Sequence, residues 1–174
     1  MSMVRRNITA FCVEAFGAKF LKSWGRLAGS ENVAVTVDGG TLDLGVPTTL
    51  STLAVGANGV IVGTLSKDPA AGTAITVTGN ASFAEGAKLK LRLTDIAQAE
   101  GTYTVISAGS LTGAGDLDSD VALVPFMYDA LLAVDQAAGL VNVDIARKAT
   151  EELGLNRAQA SAYDAVYAAL ADDD

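Results

Sequence analysis

At 174 residues, with 50% of them hydrophobic, the chain is long enough for one ordinary domain with a continuous core. Its formal net charge of −8 argues against a nucleic-acid partner, because phosphate binding draws on clustered Lys and Arg, and the lack of any histidine removes the commonest metal ligand and the commonest acid/base group at neutral pH. Eighteen glycines and few aromatics favour many turns joined by small and medium apolar side chains, a β-rich composition with helical exceptions at the two ends.

Residues 1–30 carry Arg5, Arg6, Lys19, Lys22 and Arg26 against the single acid Glu14, while the remainder is strongly acidic. Attraction to an anionic membrane surface is therefore confined to residues 1–30. Within 7–28, Phe11, Ala15, Ala18, Leu21 and Trp24 recur at spacings of three and four, which predicts an amphipathic helix, broken at Gly17 or Gly25. Three readings stand for it: a helix capping the open end of a β-fold, a vector- or truncation-derived flank, or a membrane-surface helix. Arg5 and Arg6 precede an apolar patch at Ile8 to Val13, but Glu14, Lys19 and Lys22 cut it short, so it does not read as a signal peptide. No apolar run approaches the roughly eighteen residues that span a bilayer. If the chain is exported, its signal and anchor are expected outside this sequence. Cys12, the only cysteine, allows no intrachain disulfide and reads as a small buried hydrophobe.

From Val33 the period changes to two, through Val33, Val35 and Val37, then Leu42 and Leu44, then Ile75 and Val77, and later Val141, Val143 and Ile145. The sharpest alternation is Lys88-Leu89-Lys90-Leu91-Arg92-Leu93, with three leucines on one face and three cations on the other. A one-residue slip would bury all three charges, so register is firmly set. Asp38-Gly39-Gly40, Asn58-Gly59, Gly79-Asn80, Glu85-Gly86 and Glu100-Gly101 predict turns between these strands. Short strands punctuated in this way suit a sandwich, a barrel or a solenoid.

Residues 110–120 form a polar, glycine-containing loop, and Val121 to Ala133 is an apolar stretch to which the pattern assigns no state. Further on, Ala and Glu predict a short helix around Arg147–Leu153, stopped at Gly154, and a longer one over Arg157–Leu170. Asn156, with Gln159 three places on, has the form of an N-cap whose partner reaches back. Along the second helix Ala162, Val166, Ala169 and Leu170 share a face, and Tyr163 lies one turn from Tyr167.

The residues supply little machinery for chemistry. Asp116, Asp118 and Asp120 alternate in the polar loop and are weak candidates for calcium, but Val121 and Met127 stand where a helix-loop-helix site wants glycine and glutamate, so a solvated loop is preferred. No histidine base and no Gly-x-Ser-x-Gly elbow accompany the serines, which excludes an ordinary serine hydrolase. The stretch from Val55 to Gly59 lacks the Gly-Lys-Ser/Thr ending of a phosphate loop. Lys88, Lys90 and Arg92 read first as a solvated, anti-aggregation face and second as a surface for an acidic glycan or partner. No catalytic residue, cofactor or enzyme activity is assigned. A polysaccharide-cleaving enzyme ranks third, because the acids Asp38, Asp68, Glu85 and Glu100 lie in predicted turns.

The order of elements resembles a known one. Val77-x-Gly79-x-Ala81-x-Phe83, then Gly86-Ala87-x-Leu89-x-Leu91-x-Leu93, then Gly101-Thr102-Tyr103-Thr104-Val105-Ile106 resemble the last coils of the passengers of autotransporters, the type V secretion family. The strand Leu140–Ile145 and the stretch from Ala149 to Leu170 resemble the junction into the linker and translocation barrel. The resemblance covers roughly Leu50 to Leu170. It implies a mainly β chain folded as a right-handed parallel β-helix, with a β-sandwich as the alternative. Residues 1–30 would form an N-terminal amphipathic cap or flank, 31–146 the coils, and 147–174 a helical junction. Val77, Phe83, Leu89, Leu91, Leu93, Tyr103 and Val105 would stack in its core. The implied function is a structural stem and autochaperone-like folding segment at the Gram-negative cell surface, its partners being a translocation β-barrel and upstream coils that lie outside this chain. The alternative function is an adhesin-type module for a host glycan, protein or membrane surface.

Overall fold

A computed structural model of the chain describes residues 20–22, 30–95, 99–120 and 123–171. Most of the helix expected over 7–28 lies outside these residues. Its described part, Phe20–Lys22, is a strand, β1, paired in parallel with the edge of the next one, Phe20 beside Thr41 and Lys22 beside Asp43. Backbone pairing to an open edge overrides the helical spacing of those three residues.

Seven further strands follow: β2 (Ala34–Asp43), β3 (Thr48–Leu50), β4 (Thr52–Leu65), β5 (Ile75–Phe83), β6 (Lys88–Leu93), β7 (Gly101–Thr112) and β8 (Asp118–Asp120). All pairings among β1 to β8 are parallel. The two halves of β4 go separate ways, Leu53 standing beside Ala81 of β5 and Ile61 beside Leu89 of β6. Apolar residues therefore line up in files across strands. One file runs Val35, Leu53, Ala81, Leu111; another runs Leu42, Ile61, Leu89; a third runs Leu50, Val77, Ala108. These files face one shared core in which Leu50, Leu53, Ile61, Leu89, Leu91, Val77 and Val105 are fully buried.

Several expected turns are bends inside continuous strands. Asp38-Gly39-Gly40 lies within β2, Asn58-Gly59 within β4 and Gly79-Asn80 within β5. The register shifts between Val37 and Gly39 and again between Val77 and Asn80, which marks β-bulges. A bulge turns the strand onto a new face without breaking its pairing, so the same glycine and asparagine signal serves a bend as well as a loop. Glu85-Gly86 is a true turn, with Gly86 at φ 88°.

At the C-terminal end the direction of pairing changes. Strands β9 (Tyr128–Asp135) and β10 (Leu140–Arg147) form an antiparallel hairpin, closed by a turn with Gly139 at φ 71°, and β10 also pairs antiparallel with β7 through Val143 beside Tyr103. The sheet is therefore mixed, and a strictly parallel arrangement does not extend to this end. A short turn lets consecutive strands pair only in the antiparallel sense, which is the physical reason. All ten strands belong to one sheet rather than to the two of a sandwich. The apolar stretch without an assigned state, 121–133, contains the start of β9.

The short helix expected at Arg147–Leu153 is reduced to one capped turn, because Arg147 is held as the last residue of β10. Ala149 N–H donates to Glu152 Oε2 at 2.8 Å. Gly154 N–H reaches Glu151 O at 3.0 Å and Leu155 N–H reaches Thr150 O at 3.1 Å, with Gly154 at φ 68°. That is a Schellman ending. The helix α1 (Arg157–Ala171) then starts as its sequence predicts: Asn156 Oδ1 accepts from Ala158 N and Gln159 N, and Gln159 Oε1 accepts from Asn156 N at 2.9 Å. No helix among the described residues is long and apolar enough to cross a membrane.

Candidate functional site: the charged face and the C-terminal end

Alternation along β6 sends Leu89 and Leu91 inward to full burial and Leu93 to partial burial, while Lys88, Lys90 and Arg92 face outward. The remaining expected core residues, Val77, Phe83, Tyr103 and Val105, are all buried. Tyr103 satisfies its hydroxyl at the rim, 3.0 Å from Lys67 O and 2.5 Å from Ala99 O.

The three cations are placed among acids. Parallel pairing with β8 sets Lys88 beside Asp118, whose Oδ2 lies 3.6 Å from Nζ, and sets the backbone of Lys90 beside that of Asp120. On the other side Arg92 reaches across β4 to Asp43 at the end of β2. Nη2 is 2.8 Å from Oδ2, and Nη1 donates to Oδ1 at 3.1 Å. Asp43 is fully buried, whereas the Arg92 side chain keeps 32% of its exposure. Oδ2 receives charge from Nη2 without an aligned hydrogen bond, so the carboxylate is compensated more by Coulomb attraction than by donors. Chemically this face is a ladder of opposite charges that rewards one strand register. Its net positive potential is correspondingly small.

Asp118 is thereby engaged with a lysine, and Asp116 is the exposed end of a 3-10 turn, Ala114–Asp116, that Ala114 anchors in the core. Among the described residues no three acidic or sulfur side chains converge on a cation-sized site.

A second cluster lies at the C-terminal end. The Arg147 guanidinium, at the end of β10, stands 4.5 Å from the ring centroid of Tyr167 and 5.2 Å from that of Tyr163, and it reaches Asp164 Oδ1 at 2.6 Å. The Tyr128 and Tyr167 hydroxyls are 2.7 Å apart. Helix α1 thus docks on the hairpin through its tyrosine face. Its other apolar face, with Val166 and Leu170, stays in solvent. The Arg147 latch and the Arg92–Asp43 pair escaped sequence reasoning, because no local period connects partners so far apart in the chain.

Comparison of the chain with protein-family models, with curated proteins and with solved structures found no match.

Proposed function

We propose that the chain is a structural stem and folding segment of an autotransporter-type passenger, a right-handed parallel β-helix displayed at the outer membrane, whose C-terminal end folds first and templates the rest. The observation that carries this reading is the way the stack ends. The parallel files run up to β7, and there the β9–β10 hairpin covers the last rung, burying Val141, Val143 and Ile145 against it. Stacked strands are stable only while a neighbour covers them. A short-range hairpin forms without waiting for distant chain, since its loop closes at low entropic cost. It can therefore supply the first cover, and each further strand then adds buried apolar area worth about 25 cal/mol per Å². The outer face of β6 fits a structural role better than anion capture, because Lys88 and Arg92 are engaged by neighbouring acids.

The test is positional. Val143→Asp, at the hairpin, is expected to abolish cooperative unfolding of the whole chain in a urea titration. Val37→Asp, at the first rungs, is expected to leave a cooperative transition with a smaller m-value and slow amide exchange retained over β6, β7 and β10. Loss of protection throughout the chain in Val37→Asp, with protection retained in Val143→Asp, would overturn the proposed order.

A further inference from the structure

Of the described asparagines, Asn32, Asn58, Asn80, Asn142 and Asn156, only Asn80 is followed two places on by a hydroxyl residue, in Asn80-Ala81-Ser82. Asparagine, any residue but proline, then serine or threonine is the acceptor pattern for N-linked glycans, and it is usable only where the side chain reaches the surface of an exported chain. The fold brings it there. The register of β5 against β7 shifts between Val77 and Asn80, so Asn80 is the first paired residue beyond a bulge. Ala81 and Phe83 enter the core, and alternation therefore sends Asn80 and Ser82 to the outer face, where both are only half-buried.

Hydrogen bonding orients the amide. Ser110 Oγ and Thr112 Oγ1 of β7 both donate to Asn80 Oδ1 at 2.9 Å, which engages the oxygen and leaves Nδ2, the atom that carries an N-linked sugar, without a hydrogen-bond partner among the described residues. The surroundings leave room. Adjacent strands lie about 4.8 Å apart, less than the width of a sugar ring, so a ring on Nδ2 overlies its neighbours. Those neighbours are Ser110 and Thr112 of β7, Ala54 of β4 beside Ser82, and Thr36 of β2 beside Ala54. None of them is long or charged, in contrast to the face of β6. We propose that Asn80 is an N-glycosylation site, modified while the chain is extended and accommodated afterwards on the outer face of β4, β5 and β7. The order follows from pairing: once folded, β5 is held on both sides and its backbone cannot enter a transferase. The donor class is an oligosaccharide linked through pyrophosphate to a lipid. Nδ2 forms a bond to C1 of the sugar, the bond from C1 to the phosphate oxygen breaks, the lipid pyrophosphate leaves, and one Nδ2 proton passes to a base of the transferase. The site is additional to the stem role and independent of it.

The test is to secrete the full chain, behind an added signal peptide, from yeast, whose secretory pathway supplies that donor whatever route the chain takes in its own cell. Peptide mapping by mass spectrometry after release of glycans with an amidase, which converts a modified asparagine to aspartate, then reads each site separately. The separation matters because Asn7-Ile8-Thr9 has the same pattern and lies outside the described residues. The peptide holding Asn80 is expected to carry a glycan in the parent, to lose it in Ser82→Ala, and to keep it in Ser82→Thr. Ser82→Ala leaves Asn80 and both of its hydroxyl donors in place, so it removes the acceptor pattern without disturbing the amide. The glycosylated parent is also expected to melt at the same temperature as unglycosylated Ser82→Ala or higher, because the sugar lies over small side chains in solvent. An Asn80 peptide recovered unmodified from the parent, a glycan that survives Ser82→Ala, or a glycosylated chain that is secreted unfolded would each overturn the inference. None of these results bears on the order of folding, which the Val143→Asp and Val37→Asp pair decides.

Discussion

Arg92 and Asp43 are joined across an intervening strand: the guanidinium of β6 spans β4 to fork onto a carboxylate of β2 that has no solvent exposure. A buried charge without its partner is costly, whereas an apolar pair of similar volume is often neutral or better. Arg92→Ala is therefore expected to destabilise the fold by about 3 kcal/mol, the lower end of the range for broken buried pairs, since the arginine is partly solvated. Arg92→Met combined with Asp43→Leu is expected to recover most of that loss. Urea titration of the two single variants and the double one measures the coupling directly.

Leu91 has no exposure and lies at the centre of the inner files, beside Gly63 of β4. Leu91→Ala is expected to cost about 2–5 kcal/mol, depending on how far the surrounding files relax. Leu91→Asp is expected to abolish the cooperative transition altogether, because the carboxylate would have no donor inside the stack. Circular dichroism through a thermal melt distinguishes the two outcomes.

Gly63 is small because Val105 occupies the space in front of it. A Cβ built on Gly63 would lie 2.4 Å from Val105 Cγ1, closer than any real contact. Gly63→Ala is thus expected to destabilise by about 1–3 kcal/mol through overpacking. Val105→Ala alone leaves a void, but the pair Gly63→Ala with Val105→Ala is expected to be less damaging than the sum of the single changes. A double-mutant cycle by chemical denaturation reads that difference.

These sites also show how far the sequence could be read. Alternation placed Leu89 and Leu91 in the core, and Asn156 with Gln159 located the start of α1, because both are local signals carried by neighbouring residues. Glycine at 39, 59 and 79 was legible as a change of direction but not as a bulge within a strand, since both require the same backbone freedom. The antiparallel hairpin hid in an apolar stretch whose alternation in β9 is shallow, with Leu131 outward and Leu132 only partly buried. The alternating acids Asp118 and Asp120 read as part of a solvated loop, with calcium as a weak alternative, and not as a paired strand. Their backbone partners are Lys88 and Lys90, thirty positions earlier in each case (88 to 118, 90 to 120), and that offset becomes visible only once the pairing is known.

Arg147 offers a test that separates charge from shape at the docked helix. Its guanidinium is stacked over Tyr167 and Tyr163 while holding Asp164, a combination that a lysine ammonium cannot reproduce. Arg147→Lys is expected to loosen α1, seen as faster amide exchange over 157–171 with the sheet unaffected. The two tyrosines should respond oppositely to loss of the hydroxyl. Tyr167→Phe removes the 2.7 Å contact with Tyr128 and is expected to cost about 1 kcal/mol. The Tyr163 hydroxyl is buried without a hydrogen-bond partner among the described residues, so Tyr163→Phe keeps the ring beside Arg147 and removes an unsatisfied polar group. It is expected to leave the helix as stable as before or slightly more so, by up to about 1 kcal/mol. Equal losses in both phenylalanine variants, measured by the same exchange experiment, would mean that α1 is held by something other than this cluster.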